Sequence, residues 1–151
     1  TGGRINKIKK ILYNSNDDNF FLTYSDGLSN INLSKLYKFH LKEKSQATVT
    51  VVKTSNQFGV VEFKNNRVIK FNEKPKNNFH INAGFFLLNK SILKYVKKNS
   101  DIWEKDCIPS IARRKMLIAF KHSGFWQSMD SVNDKNKLDK YLKSNPKFYK
   151  T

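Results

Sequence analysis

Cysteine is almost absent. Cys107 stands alone in 151 residues, so no disulfide can close within the chain, and no Cys/His set has zinc spacing. A reducing cytosol is the compartment this implies. Long apolar runs are missing too. The stretch Gly84-Phe85-Phe86-Leu87-Leu88 falls far short of the roughly 20 residues that span a bilayer, and no secretory signal is present. Acidic residues are few, 12 against 29 basic ones, which leaves a net charge of +17. Arginine is also scarce, limited to Arg4, Arg67, Arg113 and Arg114. The excess charge is therefore lysine, spread along the chain beside abundant asparagine, isoleucine, phenylalanine and tyrosine. That is the signature of AT-rich coding rather than of a binding device, and no nucleic-acid motif accompanies it. The expected partners include neither nucleic acid nor membrane.

What remains is enough to fold. A hydrophobic fraction of 38% with 27% charged residues supports one core and one domain over residues 1–151. No internal repeat or low-complexity linker divides it. Ile5, Ile8, Ile11 and Leu12 recur at helical spacing, predicting a helix over 4–13. Phe20 to Tyr24 reads as a buried strand ending at the turn signal Ser25-Asp26-Gly27. Ser34 is the expected cap of a helix carrying Leu36, Phe39 and His40. Residues 47–52 are β-branched and strand-like. A hairpin is expected from residues 60–63 and 68–71 around Asn65-Asn66, where asparagine tolerates positive φ. A strand over 79–88 follows, then a short helix at Ile92–Val96. A second helix bears Trp103, Cys107 and Ile111 and is interrupted by Pro109. A strand over 116–121 and a last helix capped by Ser131 complete the chain. Strands alternating with helices predict an α/β layered fold with a hairpin insertion. Ligands in such folds gather beyond the carboxyl ends of the strands, where Asp26 falls.

Four segments could carry chemistry, and each has a plain structural reading beside the functional one. Thr1-Gly2-Gly3-Arg4 could present backbone N–H groups and a guanidinium to an anion, or simply start a helix. Asp26 before Gly27 could hold a metal or a hydroxyl, or belong to a turn. Glu73-Lys74-Pro75 could pair sugar hydroxyls with a phosphate charge, or be a solvated ion pair. Asp130, after Gly124-Phe125-Trp126-Gln127-Ser128-Met129, could ligate a metal, cap the last helix, or do both. His40, His80 and His122 have no catalytic partner at recognisable spacing and read as structural.

The order of these segments is more specific than any one of them. Thr-Gly-Gly-Arg, Phe-Phe-Leu-Thr-Tyr-x-Asp-Gly, Phe-x-Glu-Lys-Pro, Ile-Asn-x-Gly-Phe-Phe and Gly-Phe-Trp-Gln-x-Met-Asp follow one another from Thr1 to about Lys147. Together with Phe58-Gly59, Trp103-Glu104 and Asp134-Lys135, they resemble the glucose-1-phosphate cytidylyltransferases. The resemblance implies a Rossmann-like nucleotidyltransferase fold, a mixed sheet flanked by helices with a β-hairpin insertion. It implies Mg²⁺ held by Asp26 and Asp130. It sets Arg4 and Ser25 against the substrates, Glu73 and Lys74 at the sugar and its phosphate, and Asn82 and Gly84 along the glucose. Asp26, Lys74 and Asp130 are the implied catalytic set. CTP and glucose 1-phosphate are the implied substrates, CDP-glucose for surface polysaccharide the implied product, and a homo-oligomer in the cytoplasm the implied assembly.

The sequence also departs from the family pattern. No Gly-rich triphosphate loop with its following arginine and lysine is found, so the chain reads as a C-terminal portion, incomplete at its N-terminal side. Turnover of CTP by residues 1–151 alone is not expected. Ser25 and Ala83 stand where glycine is usual, Gln57 where arginine is, and Ser128 where proline is. Nucleotides other than CTP, other sugar phosphates and a non-catalytic remnant stay open at this level.

Overall fold

The computed structural model describes residues 1–53, 60–72 and 79–148. Glu73, Lys74, Gln57 and Phe58-Gly59 lie outside these residues. The elements run α1 (Gly2–Asn14), β1 (Asn19–Thr23), β2 (Gly27–Ser29), α2 (Leu33–Lys42), β3 (Ala47–Lys53), β4 (Val60–Lys64) and β5 (Arg67–Asn72). They continue with β6 (His80–Asn89), a 3₁₀ helix (Lys90–Tyr95) and a π-helical turn (Trp103–Cys107). Then come α3 (Ile108–Arg113), β7 (Leu117–His122), β8 (Trp126–Ser128) and α4 (Val132–Ser144).

Four strands form the main sheet in the order β1-β6-β3-β7. β6 is antiparallel to both β1 and β3, whereas β3 and β7 are parallel. The carboxyl ends of β1, β3 and β7 therefore share one end of the sheet. The hairpin β4–β5 is a separate ladder turned through Asn65 and Asn66, whose φ values are 48° and 63°. This is the mixed sheet with helices and a hairpin insertion expected from the sequence.

Alternation along the strands splits the apolar residues between two layers. Phe86 and Leu88 of β6, with Ala47 of β3, face a core closed by Ile5 of α1, Ile92, Leu93, Val96, Trp103, Cys107 and Ile111. On the opposite face, Leu36 and His40 of α2 are buried with Thr48 and Thr50. His40 is 2.8 Å from the Thr48 hydroxyl and 3.2 Å from the Asn19 carboxamide oxygen. Burial pulls its pKa below the ordinary value. It is a core histidine, as its lack of a partner in sequence suggested.

Two local expectations need correction. The cap of α2 is Asn32, whose side chain accepts from the Lys35 N–H at 2.8 Å, and not Ser34. Asparagine and serine are near-equal caps, and the helix starts two residues earlier than expected. Pro109 does not interrupt its helix. It sits in the first turn of α3, a position that tolerates proline, and the π-helical turn runs directly into it. The Ser131 cap of α4 is found, with its hydroxyl accepting from Asp134 N–H at 3.2 Å.

Cys107 is fully buried. Burial pushes its thiol up to about 11, and Asp101, Asp106 and Glu104 push the same way. The reactive species is the thiolate, so the folded protein is expected to resist thiol-specific disulfide reagents at pH 8. Unfolding in guanidinium should expose one reactive thiol per chain. Rapid labelling of the native protein would contradict this packing.

Candidate active site

The end of β1 is where the chain departs from regular structure. Tyr24 follows the last strand residue, Ser25 and Asp26 turn, and β2 starts at Gly27. β2 pairs antiparallel with β8 through Gly27–Ser128, Leu28–Gln127 and Ser29–Trp126. The ladder extends one step further, because Met129 N–H donates to the Asp26 carbonyl at 2.8 Å. In that register Asp130 comes opposite Ser25. The backbone segments that carry Asp26 and Asp130, far apart in sequence, are thus paired at the sheet end where β1 and β7 finish, with Asp26 opposite Met129. Neither short strand was legible as a strand, since three residues carry too little periodicity.

β8 is held in turn by packing behind it. Phe125 stacks on Tyr141 of α4 at 3.8 Å between ring centroids, and Phe148 meets both rings edge-on. Trp126 donates its indole N–H to the Ala83 carbonyl at 2.8 Å. The aromatic pair before Asp130 therefore anchors the carboxylate-bearing segment to α4 and β6.

Against the β1 end lies a cleft of about 590 Å³. Arg4 and Ile8 of α1, Tyr24, Ser25, Asp26, Trp103 and Glu104 are among its lining residues. Arg4, Ser25 and Asp26, predicted together from sequence, are thus brought together. Gly2 and Gly3 are buried in the first turn of α1, and Gly3 N–H donates to the Asp101 carbonyl at 3.0 Å. That donor is committed to packing rather than to an anion, so the helix-start reading of the two glycines holds.

Asn82 and Gly84 reach the same cleft through Tyr24. Between the pairs Val49–Phe86 and Val51–Asn82, β6 takes four residue steps against two on β3. This bulge is made possible by Gly84, which has φ +78°. A Cβ there would lie 2.8 Å from Cδ2 and 3.1 Å from Cγ of Tyr24, so glycine is required for both reasons. The Tyr24 ring also packs on Phe86, and Phe86 meets Trp103 edge-on.

A hydrogen-bonded chain crosses the cleft floor. The Tyr24 hydroxyl donates to Glu104 Oε1 at 2.5 Å and accepts from Asn82 Nδ2 at 3.3 Å. Thr1 Oγ1 donates to Glu104 Oε2 at 2.6 Å and accepts from Trp103 N–H at 2.9 Å. Burial and the bond to Glu104 push the Tyr24 phenol well above its usual range. Burial of Glu104 opposes its ionisation, but the bonds from Thr1 and Tyr24 outweigh that and hold its carboxyl below the ordinary range. Sequence reading left Tyr24 and Glu104 without a role. The available signal was a glutamate directly after a core tryptophan.

Asp26 and Asp130 are the carboxylates that the family resemblance assigns to Mg²⁺. Asp26 and Asp130 are exposed, and neither carboxylate has a hydrogen bond or ion pair to another described side chain. Among the described residues no group of three or more His, Cys, Asp or Glu could hold a metal ion by itself. Mg²⁺ keeps several waters and is commonly held by one or two carboxylates plus substrate phosphates, which is what this pair could supply. Among the same residues no helix is long and apolar enough to cross a membrane.

Residues 3–140 match the family model described as nucleotidyl transferase. The chain is 34% identical over 140 residues to the glucose-1-phosphate cytidylyltransferase of Salmonella typhimurium, covering 92% of this chain and 54% of that protein. It is 33% identical over 140 residues to mannose-1-phosphate guanylyltransferase 1 of Arabidopsis thaliana, covering 89% and 39%. The chain spans about half the length of the cytidylyltransferases it matches. Its fold is shared by a putative glucose-1-phosphate thymidylyltransferase from Bacillus anthracis, with a TM-score of 0.69 at 16% identity over 93% of this chain and 60% of that one. The chain belongs to the nucleotidyl transferase family.

Proposed function

We propose that these residues form the sugar-phosphate and metal side of a glucose-1-phosphate cytidylyltransferase, with the nucleotide held largely by sequence outside them. The observation that supports this reading is the β2–β8 ladder, which pairs the backbone segments that carry Asp26 and Asp130 beside the cleft that Arg4, Ser25 and Asp26 line. Asp26 and Asp130 would hold Mg²⁺, and the ion when bound supplies neutralisation of phosphate charge.

In the proposed reaction a phosphate oxygen of glucose 1-phosphate forms a bond to the α-phosphorus of CTP. The bond to pyrophosphate breaks, and its electron pair leaves with that group. The attacking oxygen is already anionic at neutral pH, so no strong base is needed, and none of the three histidines is recruited. The protein's part is placement and charge. Arg4 offers a fixed donor fork at the cleft wall. Lys74 and Glu73 are assigned to the sugar phosphate by resemblance.

CTP is favoured over other nucleotides by the identity to the cytidylyltransferases. The similar identity to a guanylyltransferase named for mannose 1-phosphate makes the panel of substrates the deciding test. The full-length gene product should release pyrophosphate from CTP with glucose 1-phosphate in the presence of Mg²⁺. It should do so at least about tenfold more efficiently, in kcat/KM, than from GTP, UTP or dTTP, or with mannose 1-phosphate. Preference for GTP and mannose 1-phosphate would reassign the substrates, and no turnover of any pair would refute the reading.

A further inference from the structure

The hydrogen-bonded chain under the cleft has a direction, and that direction decides what Asn82 can offer a ligand. Glu104 is ionised, so both of its oxygens only accept. The Tyr24 hydroxyl has a single proton, and that proton goes to Glu104 Oε1 at 2.5 Å. Its oxygen is left as an acceptor alone toward Asn82. The group of Asn82 that faces it must therefore be the NH₂, as observed at 3.3 Å. The other end of the carboxamide is fixed independently, because Gly84 N–H donates to Asn82 Oδ1 at 2.8 Å within the bulge of β6. An amide turned the other way would set its carbonyl against the lone pairs of Tyr24 and its NH₂ against the Gly84 N–H. Both contacts would be repulsive.

We infer that Tyr24 and Glu104 are positioning residues that lock the Asn82 carboxamide in one orientation, so that its remaining Nδ2–H is presented to an oxygen acceptor of a bound ligand. Asn82 is exposed, and one of its two Nδ2 protons has no partner among the described residues. The acceptor class is a sugar hydroxyl or ring oxygen, an assignment that rests on the function proposed above. The anchor of the lock is distant from Asn82 in sequence. Glu104 is held by the Thr1 hydroxyl at the start of α1, so the helix that carries Arg4 and the strand that carries Asn82 are oriented through the same carboxylate.

The test has two readouts on the intact protein, with wild type compared to Tyr24→Phe and Glu104→Gln. The first is the Asn82 side-chain amide spectrum under selective ¹⁵N-asparagine labelling, assigned by loss of the signal in Asn82→Ser. Tyr24→Phe keeps the ring against Phe86 and removes only the hydroxyl, so the pair of Asn82 signals should shift and exchange faster with water while the melting curve stays close to wild type. Glu104→Gln frees the hydroxyl proton to reorient and should broaden or double the same signals. The second is steady-state kinetics. KM for glucose 1-phosphate should rise about 3- to 10-fold in Tyr24→Phe with kcat within about twofold, the pattern of lost binding rather than lost chemistry. Unchanged Asn82 signals in both variants would overturn the inference. So would shifted signals with an unaltered KM. Absence of turnover in the wild type would count against the proposed function alone, and the amide spectrum would then decide the orientation by itself.

Discussion

Gly3→Ala is expected to lower the melting temperature by roughly 6–12 °C, the equivalent of about 3 kcal/mol in a domain of this size. Local propensity argues for the opposite sign. Alanine is favoured over glycine inside a helix by up to about 1 kcal/mol, and Gly3 lies in the first turn of α1. Packing decides the matter. A Cβ on Gly3 would lie 1.9 Å from the Asn99 carbonyl oxygen and 2.8 Å from its carbon. Both are backbone atoms, so no side chain can swing aside. The turn they belong to is itself pinned, because the Asp101 carboxylate accepts from Lys97 N–H at 2.7 Å and from Lys98 N–H at 2.9 Å. Either the turn breaks those bonds or α1 lifts away, taking Ile5 from the core and Arg4 from the cleft. Gly27→Ala is the control, since its added Cβ would find nothing nearer than the Ala83 carbonyl at 3.6 Å. A circular-dichroism melt of both variants measures the contrast. A Gly3→Ala protein as stable as wild type would mean that α1 does not rest on that turn.

This contrast shows which parts of the molecule could be read in advance. Elements with several apolar positions at a fixed period were legible, which is why α1, β1, β3, β6 and α4 fall where the pattern sets them. The hairpin was legible from Asn65-Asn66, because the turn needs positive φ at both residues and asparagine adopts it. What escaped is what depends on contacts between distant residues. β2 and β8 exist only as partners of each other. Gly2 and Gly3 read alone as either an ordinary helix start or an anion cradle, and their reason for being glycine is Asp101 and Asn99, almost a hundred residues away. Gly84 was noted as a sugar-side residue, whereas its φ and its approach to the Tyr24 ring make it first a bulge residue. Of the site, Arg4, Ser25 and Asp26 were identifiable by resemblance, and the cleft gathers them. Tyr24 and Glu104 were not, because a tyrosine in a strand run and a glutamate in a helical run look like ordinary amphipathic surface until the fold joins them.

The carboxylate pair carries the other large expected effect. In the full-length protein, Asp26→Asn and Asp130→Asn should each lower kcat by about 10²–10⁴-fold, the scale expected when charge stabilisation at a transferring phosphoryl group is removed. Stability should barely move. Both side chains are exposed, and the one hydrogen bond that fixes Asp26 in the ladder uses its backbone carbonyl, which asparagine retains. Melting within about 2 °C of wild type, inside the range of a neutral surface change, would separate a loss of chemistry from a loss of fold. The double variant is the more discriminating measurement. If the two carboxylates hold one ion, removing the second after the first has little left to remove, and the double variant should turn over no more slowly than about the worse single one. Two carboxylates acting independently would multiply their effects instead. The Mg²⁺ concentration for half-maximal rate should also rise in each single variant, since one of two anionic ligands has become neutral. Near-normal rates in both single variants, or effects that multiply with an unchanged Mg²⁺ dependence, would remove the metal from this pair. The β2–β8 ladder would then be a structural clasp between β1 and β7, with Asp130 left to the start of α4.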